Sequence, residues 1–189
     1  YSGGVKPVAV KVPEYDRAAP HGTGAIKAGL NYAMSLYPSV QAHAEGFADN
    51  MFLDPQTHTY VEESGGANFM FVDREGTIVV PQSATDSILP SITRRSLVQV
   101  AREMLGMTVV ERPVTFEEVA SGAFVECGMC GTAAVISPVG KVVNGETEVT
   151  FGEGGMDHVG PVMAKLRETL TGIQDGEVEG PEGWVVKIC

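Results

Sequence analysis

The sequence predicts a mixed α/β domain whose sheet is largely antiparallel, and two observations carry that expectation. Four short apolar runs, at 48–53, 59–62, 68–72 and 77–80, follow one another with turn residues between them, Asp54-Pro55 and Asp73-Arg74-Glu75-Gly76 among these. Strands so closely spaced join as hairpins, and hairpin strands are antiparallel. Around them lie three stretches of helix-forming composition, beginning near Ala25, Ser91 and Val159.

In chain order, 8–12 (VAVKV) is β-branched and apolar, a strand that Pro13 ends. The stretch 21–36, HGTGAIKAGLNYAMSL, follows. Gly22 and Gly24 flank Thr23 in a loop whose hydroxyl can cap what comes next, and from Ala25 the composition favours a helix. That helix is expected to stop near Pro38, with a short second one over 40–44. The clearest helix is 91–105, capped by Ser91 or Thr93, with Ile92, Leu97, Val100, Ala101, Met104 and Leu105 at helical spacing and Gly106 as its stop.

A strand over 108–112 leads to Thr115 with Glu118 three residues on, a capping box that opens a short helix. Segments 124–126 and 133–136 read as buried strands around a Cys127-Gly128-Met129-Cys130-Gly131 turn. Val142, Val143 and 148–151 form a hairpin-like pair about Asn144-Gly145. An amphipathic helix over 159–173 precedes a Gly- and Glu-rich tail ending near Trp184-Val185-Val186. There is no internal repeat and no long linker.

The 189 residues are 43% hydrophobic and 20% charged, as in an ordinary globular chain that can bury a substantial core. A net charge of −11 disfavours nucleic acid, since no basic patch is available to neutralise phosphates. No window approaches the roughly 18 apolar residues of a membrane span, and no charged-then-apolar leader marks the chain for secretion. Three cysteines argue against a disulfide framework and for a reducing, cytoplasmic compartment. The opening Tyr1-Ser2-Gly3-Gly4 lacks an initiator methionine and reads as part of something longer.

Lys27 falls at the loop-to-helix junction among small and apolar residues. A lysine that loses solvation there becomes a neutral amine able to attack a carbonyl; the competing reading is a lysine that snorkels out of a helix start. Three further stretches bear on the choice. Glu62-Glu63-Ser64-Gly65-Gly66-Ala67-Asn68 sets a carboxylate at a strand end. Leu89-Pro90-Ser91-Ile92-Thr93-Arg94 opens a helix, a place where anions bind. Gly131-Thr132-Ala133-Ala134 is a second small-residue turn whose N–H groups can face an anion. A lysine, a carboxylate and two anion cradles are what pyridoxal 5'-phosphate requires.

Here the chain resembles the branched-chain amino-acid aminotransferases of the class IV, pyridoxal-phosphate-dependent family. The resemblance rests on GTGAIKAGLNYA at 22–33, EESGGANFMF at 62–71, ILPSITRRSL at 88–97 and CGTAAVISPV at 130–139, in that order and spacing. It implies a largely antiparallel sheet partly closed into a pseudo-barrel with flanking helices. It also implies that Lys27 carries the cofactor as a Schiff base, Tyr32 bonds its phenolic oxygen, and Glu63 pairs with the pyridine nitrogen. Leu89 would pack on the ring, while Ile92, Thr93 and Thr132 would hold the phosphate. Ala133 and Ala134 would present N–H groups to the substrate carboxylate, and Arg17 would lie near the cofactor.

The implied reaction moves an amino group between leucine, isoleucine or valine and 2-oxoglutarate, in a homodimer that acts in amino-acid metabolism. D-amino-acid transamination and aminodeoxychorismate cleavage are the alternatives on the same fold, and a non-catalytic domain fragment is a third. Family members begin with a smaller domain that supplies a phosphate-binding arginine and part of the substrate pocket. No match to it is present, so 1–189 is expected to be the large C-terminal domain. Ser91 stands where the family commonly has glycine. The Cys127/Cys130 spacing suits a redox pair or half a zinc site, but His21, His43, His58 and His158 are scattered without ligand spacing. No metal is expected, and the thiols are read as free and packed near the site. Some relatives carry a redox pair slightly later, where Ala134 and Ser137 stand here. Arg94 and Arg95 are expected to bind the domain's own carboxylates.

Overall fold

The structure, a computed structural model, describes residues 5–83, 85–186 and 188; the Tyr1–Gly4 opening and Cys189 lie outside them. Among the described residues eight strands form one mixed sheet: β1 (Val8–Lys11), β2 (Asp49–Asn50), β3 (Asn68–Asp73), β4 (Ile78–Pro81), β5 (Val109–Arg112), β6 (Phe124–Gly131), β7 (Val135–Asn144) and β8 (Thr147–Thr150). Their order is β2-β1-β7-β6-β3-β4-β5, with β8 hairpinned onto β7. The pairs β3–β4, β3–β6, β6–β7 and β7–β8 are antiparallel, as expected of hairpins. Three pairs are parallel: β1–β2, β1–β7 and β4–β5. Parallel neighbours need a long crossover. Helix α1 (Gly29–Ala44) supplies it between β1 and β2, and α2 (Ile92–Gln99) between β4 and β5.

Strand β3 lies near the centre and is buried on both faces. Phe69 and Phe71 join one core with Val10, Met51, Val79 and Phe124, and the Phe71 and Phe124 rings stack at 4.8 Å. Met70 and Val72 join the other with Leu97, Ile136, Leu166 and Leu170, under α2 and α4 (Pro161–Asp175). The two-residue period of a strand makes that division. It also decides the cysteines. The expected turn at 127–131 is instead the continuous strand β6, so Cys127 packs in the first core and Cys130 in the second. Burial pushes the Cys127 thiol well up and the Cys130 thiol to about 12. Two thiols on opposite faces of a sheet are not a redox pair or half a zinc site.

Other departures have local causes. Helix α1 starts at Gly29, not Ala25, because buried Asn31 donates to the carbonyls of Thr23 (2.7 Å) and Ile26 (2.8 Å) and holds the preceding chain as a loop. The Thr23 hydroxyl donates to Asn31 Oδ1 (2.9 Å) and caps nothing. The helix runs through Pro38 to Ala44, since a buried proline there removes only one N–H from the ladder. The run expected over 91–105 splits into α2 and a wider turn over Val100–Met104, closed by Leu105 N–H on the Val100 carbonyl. Of the strands expected at 48–53 and 59–62, β2 alone forms, and the rest make single bridges. The Asp54 carboxylate accordingly collects the N–H groups of Thr57, Thr59 and Tyr60, each at 2.8 Å, and rolls the chain into a tight loop.

Thr115 caps α3 (Phe116–Ala120) as expected, accepting from Glu118 N–H at 3.0 Å. The Glu118 carboxylate, however, turns away to Arg112. Helix α4 has Pro161 at its start and no capping side chain of its own. Its free N–H groups at Val162 (3.0 Å) and Met163 (2.8 Å) are taken by Glu126, reaching across from β6. Gly176, with φ 77°, closes the helix in the left-handed conformation that glycine adopts without strain.

Candidate active site

Glu63 is built in from both sides. Backbone bonds between Phe52 and the Glu62–Glu63 pair (3.0 and 3.1 Å) fix the approach. The Ser64 hydroxyl accepts from Ala67 N–H (3.0 Å) and Gly66 N–H (3.3 Å), turning the chain back so that Asn68 bridges to Glu63. Glu63 is 2% exposed, so it is not the solvated strand-end carboxylate its position alone would suggest. Its Oε1 is 2.7 Å from the Arg17 guanidinium and accepts Leu89 N–H at 2.8 Å. Its Oε2 accepts Asn68 Nδ2 at 2.9 Å. Burial pushes the Glu63 carboxyl up to about 7, with the Arg17 charge and the Leu89 N–H pulling against it. A carboxylate offers about four acceptor positions; three are used, and one on Oε2 is open. Arg17 Nε, Asn68 Oδ1 and Arg94 Nε are buried without a protein partner.

Lys27 lies in the loop before α1 and is exposed. The desolvation expected of it does not occur in this chain, because the helix begins two residues later and leaves the amine at the surface. Tyr32 is half-buried in the first turn of α1. The loop rests on backbone at Gly24, where a Cβ would stand 2.6 Å from Ser87 Cα. Only glycine allows that approach.

Leu89 is half-buried ahead of α2. Ser91 caps α2, its hydroxyl accepting Arg94 N–H at 3.3 Å. Among the described residues the Ile92 and Thr93 N–H groups have no protein acceptor; Thr93 is buried and Ile92 is 67% exposed. Neither Arg94 nor Arg95 enters an ion pair among the described residues, in contrast to expectation. Arg17 holds the buried carboxylate instead.

Thr132, Ala133 and Ala134 form the turn between β6 and β7, and their N–H groups also lack an acceptor among the described residues. The turn closes on Val135 at φ 62°, a left-handed position that a β-branched residue occupies only under strain. Val135 is 6% exposed and packed into the core beneath α4, which holds it there. Beside this turn lies a cleft of about 390 Å³, lined also by Lys6, Asp49, Gly66 and Arg167.

Of the expected site residues, Arg17, Glu63 and Leu89 are in direct contact. Lys27 is joined to that cluster through the segment from Thr85 to Leu89, against which its loop leans at Gly24 and His21. Thr132, Ala133 and Ala134 line the cleft together with Gly66 and Ala67, which belong to the turn between Glu63 and Asn68; Lys27 and Glu63 are not among its lining residues. Asn68 was legible only as part of a motif; its amide shows its use, bridging Glu63 and the Leu89 carbonyl (3.2 Å). Glu62 and Ser87, which also meet here, carried no separate signal in the sequence.

The family Amino-transferase class IV matches residues 4–142. A branched-chain-amino-acid aminotransferase of Haemophilus influenzae is 47% identical over the whole chain, which covers 54% of that protein. One of Mycobacterium tuberculosis is 41% identical over the whole chain, which covers 52% of it. The chain thus spans about half the length of the curated relatives it matches. Among solved structures, the branched-chain amino acid aminotransferase from Escherichia coli superposes with a TM-score of 0.80 at 34% identity, covering 94% of this chain and 56% of that one. The enzyme from Thermobaculum terrenum in its PLP-form superposes with a TM-score of 0.76 at 29% identity, covering 93% and 53%.

Proposed function

Because the chain belongs to the class IV aminotransferase family, we propose that it carries the cofactor site of a pyridoxal 5'-phosphate enzyme that moves an amino group between leucine, isoleucine or valine and 2-oxoglutarate. The observation that carries the reading is Glu63, a buried carboxylate held by Arg17, Leu89 and Asn68 with one acceptor position unused. A ring N–H fits that position, and a carboxylate there favours the protonated ring. Pyridoxal phosphate, when bound, supplies an aldehyde for amines and a ring that draws electrons from the substrate's α-carbon.

This chain's residues do the rest. Lys27, exposed on its loop, is free to hold the cofactor, to be displaced by substrate, and then to move a proton at the α-carbon. Ile92, Thr93 and Thr132 would hold the phosphate with N–H groups and hydroxyls. Ala133 and Ala134 would orient the substrate carboxylate through N–H groups that no acceptor among the described residues occupies. Tyr32 would donate to the ring oxygen, and Leu89 would cover the ring. Arg17 keeps Glu63 in place.

In this reading 1–189 is the large domain of a cytoplasmic homodimer, and the 189 residues alone turn over leucine negligibly. Among the described residues no helix is long and apolar enough to cross a membrane. The test is Glu63→Gln in the full-length enzyme carrying this chain. Leucine-to-2-oxoglutarate turnover should fall at least a hundredfold while a borohydride-sensitive yellow colour persists. Near-normal turnover would overturn the assignment. Activity on D-amino acids or aminodeoxychorismate, with none on leucine, would move the chain to another reaction on the same fold. Absence of any colour or activity would leave a non-catalytic domain.

A further inference from the structure

Glu62 is 2% exposed, and its carboxylate takes no part in the Glu63 cluster described above. It accepts hydrogen bonds from the hydroxyls of Ser83 (3.3 Å) and Ser87. Those hydroxyls form a closed set with Thr85: Ser83 to Ser87 is 2.6 Å, Thr85 to Ser87 3.0 Å and Ser83 to Thr85 3.2 Å. The N–H groups of Thr85 (3.0 Å) and Ser87 (3.3 Å) also close onto Ser83 Oγ. Ser83 and the segment from Thr85 to Ser87 are thereby gathered around one buried carboxylate.

Three working parts of the site hang from that segment. The Ser87 carbonyl accepts from the Arg17 guanidinium at 3.3 Å. Ser87 Cα is the floor on which Gly24 and the Lys27 loop sit. Leu89, two residues on, gives its N–H to Glu63. The two loops are also tied directly, His21 N–H donating to the Thr85 carbonyl at 3.3 Å. Each carries one non-glycine residue in the left-handed region, His21 (φ 52°) and Asp86 (φ 53°). Such conformations persist only where the surroundings over-determine them.

We propose that Glu62 is a positioning residue, whose carboxylate sets the height of the Ser83 to Leu89 segment so that the Lys27 loop, Arg17 and the Leu89 N–H all reach Glu63's cluster in register. The inference rests on the reading of Lys27 as the cofactor lysine, but its structural half does not. Without an acceptor at Glu62 the Ser83 and Ser87 hydroxyls lose their common anchor, and the segment is free to rise with the Lys27 loop on it. Glutamine keeps an oxygen in the same place. It should restore most of what alanine loses. Ser87→Ala, which leaves the Glu62 side chain in place and removes only a hydroxyl bonded to it, should reproduce the loss, which it would not if Glu62 served only as filler.

The test uses the full-length enzyme carrying this chain, with Glu62→Ala, Glu62→Gln and Ser87→Ala. Amide hydrogen exchange is read at His21, Leu89 and, as a core reference, Phe71. Pyridoxal 5'-phosphate is then added, fixed with borohydride, and the share of label on Lys27 is compared with that on Lys165. Glu62→Ala should speed exchange at His21 and Leu89 at least tenfold with Phe71 unchanged, and lower the Lys27 share severalfold. Glu62→Gln should return both readings to within about threefold of wild type. If Glu62→Ala does not fold, Ser87→Ala, which removes only a hydroxyl, should give the same two changes. Unchanged exchange at His21 and Leu89, acceleration that Phe71 shares equally, or a glutamine variant as defective as alanine would each overturn the proposal. A wild-type full-length enzyme that never labels at Lys27 would refute the cofactor reading, while the exchange readings still decide the role of Glu62.

Discussion

Arg17 and Glu63 form an ion pair at 2.7 Å in which each side chain is 2% exposed. Removing one partner of such a pair leaves a buried charge with nothing to balance it, at a cost of about 3–5 kcal/mol. Arg17→Met should therefore destabilise the chain by about that amount in urea unfolding. Combining it with Glu63→Leu should recover much of the loss, and equal, additive losses would show that the two do not act as a pair.

The pH dependence of stability has a definite sign. Burial raises Glu63 to about 7 from an ordinary 4.5, and raises Glu62 in the same direction. Between those two values the folded chain holds protons that the unfolded chain releases. The contribution is complete below about 4.5, and stability falls as pH rises toward 7. Glu63→Gln should flatten that part of the curve of melting temperature against pH, leaving the share due to Glu62. A slope of opposite sign, or one untouched by the substitution, would count against the burial argument.

Helix α4 depends on a residue of another element. Glu126 takes the N–H groups of Val162 and Met163. Glu126→Ala leaves both unsatisfied near the helix start and should cost about 1–3 kcal/mol. Exchange at those two amides should rise more than at Leu170. A loss below about 0.5 kcal/mol, the scale of an ordinary surface change, would mean that the helix start finds other partners.

The left-handed strain at Val135 can be measured by comparison. Val135→Gly and Val142→Gly each remove a buried valine from β7, at 6% and 0% exposure. Only the first relieves a left-handed backbone, worth roughly 1–2 kcal/mol. It should therefore cost about 1 kcal/mol less than the second. Equal costs would show that the backbone at Val135 is unstrained.

Local pattern made part of this molecule readable. The strands at 68–72, 77–80 and 108–112, the short helix after Thr115 and the helix at 159–173 are where composition and periodicity put them, to within a few residues. Pairing was less accessible, because β3 finds β6 some fifty residues later, and the parallel pairs β1–β2 and β4–β5 are set by how α1 and α2 cross over. Cys127 to Gly131 looked like a turn because its glycines and methionine carry no alternation. A strand buried on both faces needs none. At the site, the motifs marked Glu63 and Leu89, but the bond between them spans 26 residues and has no local trace. The helix after Lys27 starts at Gly29 and not at Ala25, since one buried side chain, Asn31, decides it.

The central claim is that the amine on the loop resting on Ser87 is the one that holds the cofactor. The most direct measurement is to add pyridoxal 5'-phosphate, reduce with borohydride and map the labelled peptide. The pyridoxyl group should lie on Lys27, in the peptide containing GTGAIKAGLNYA, and Lys27→Ala should abolish both the label and the turnover of the full-length enzyme. A label placed on another lysine, with Lys27→Ala still active, would contradict the account.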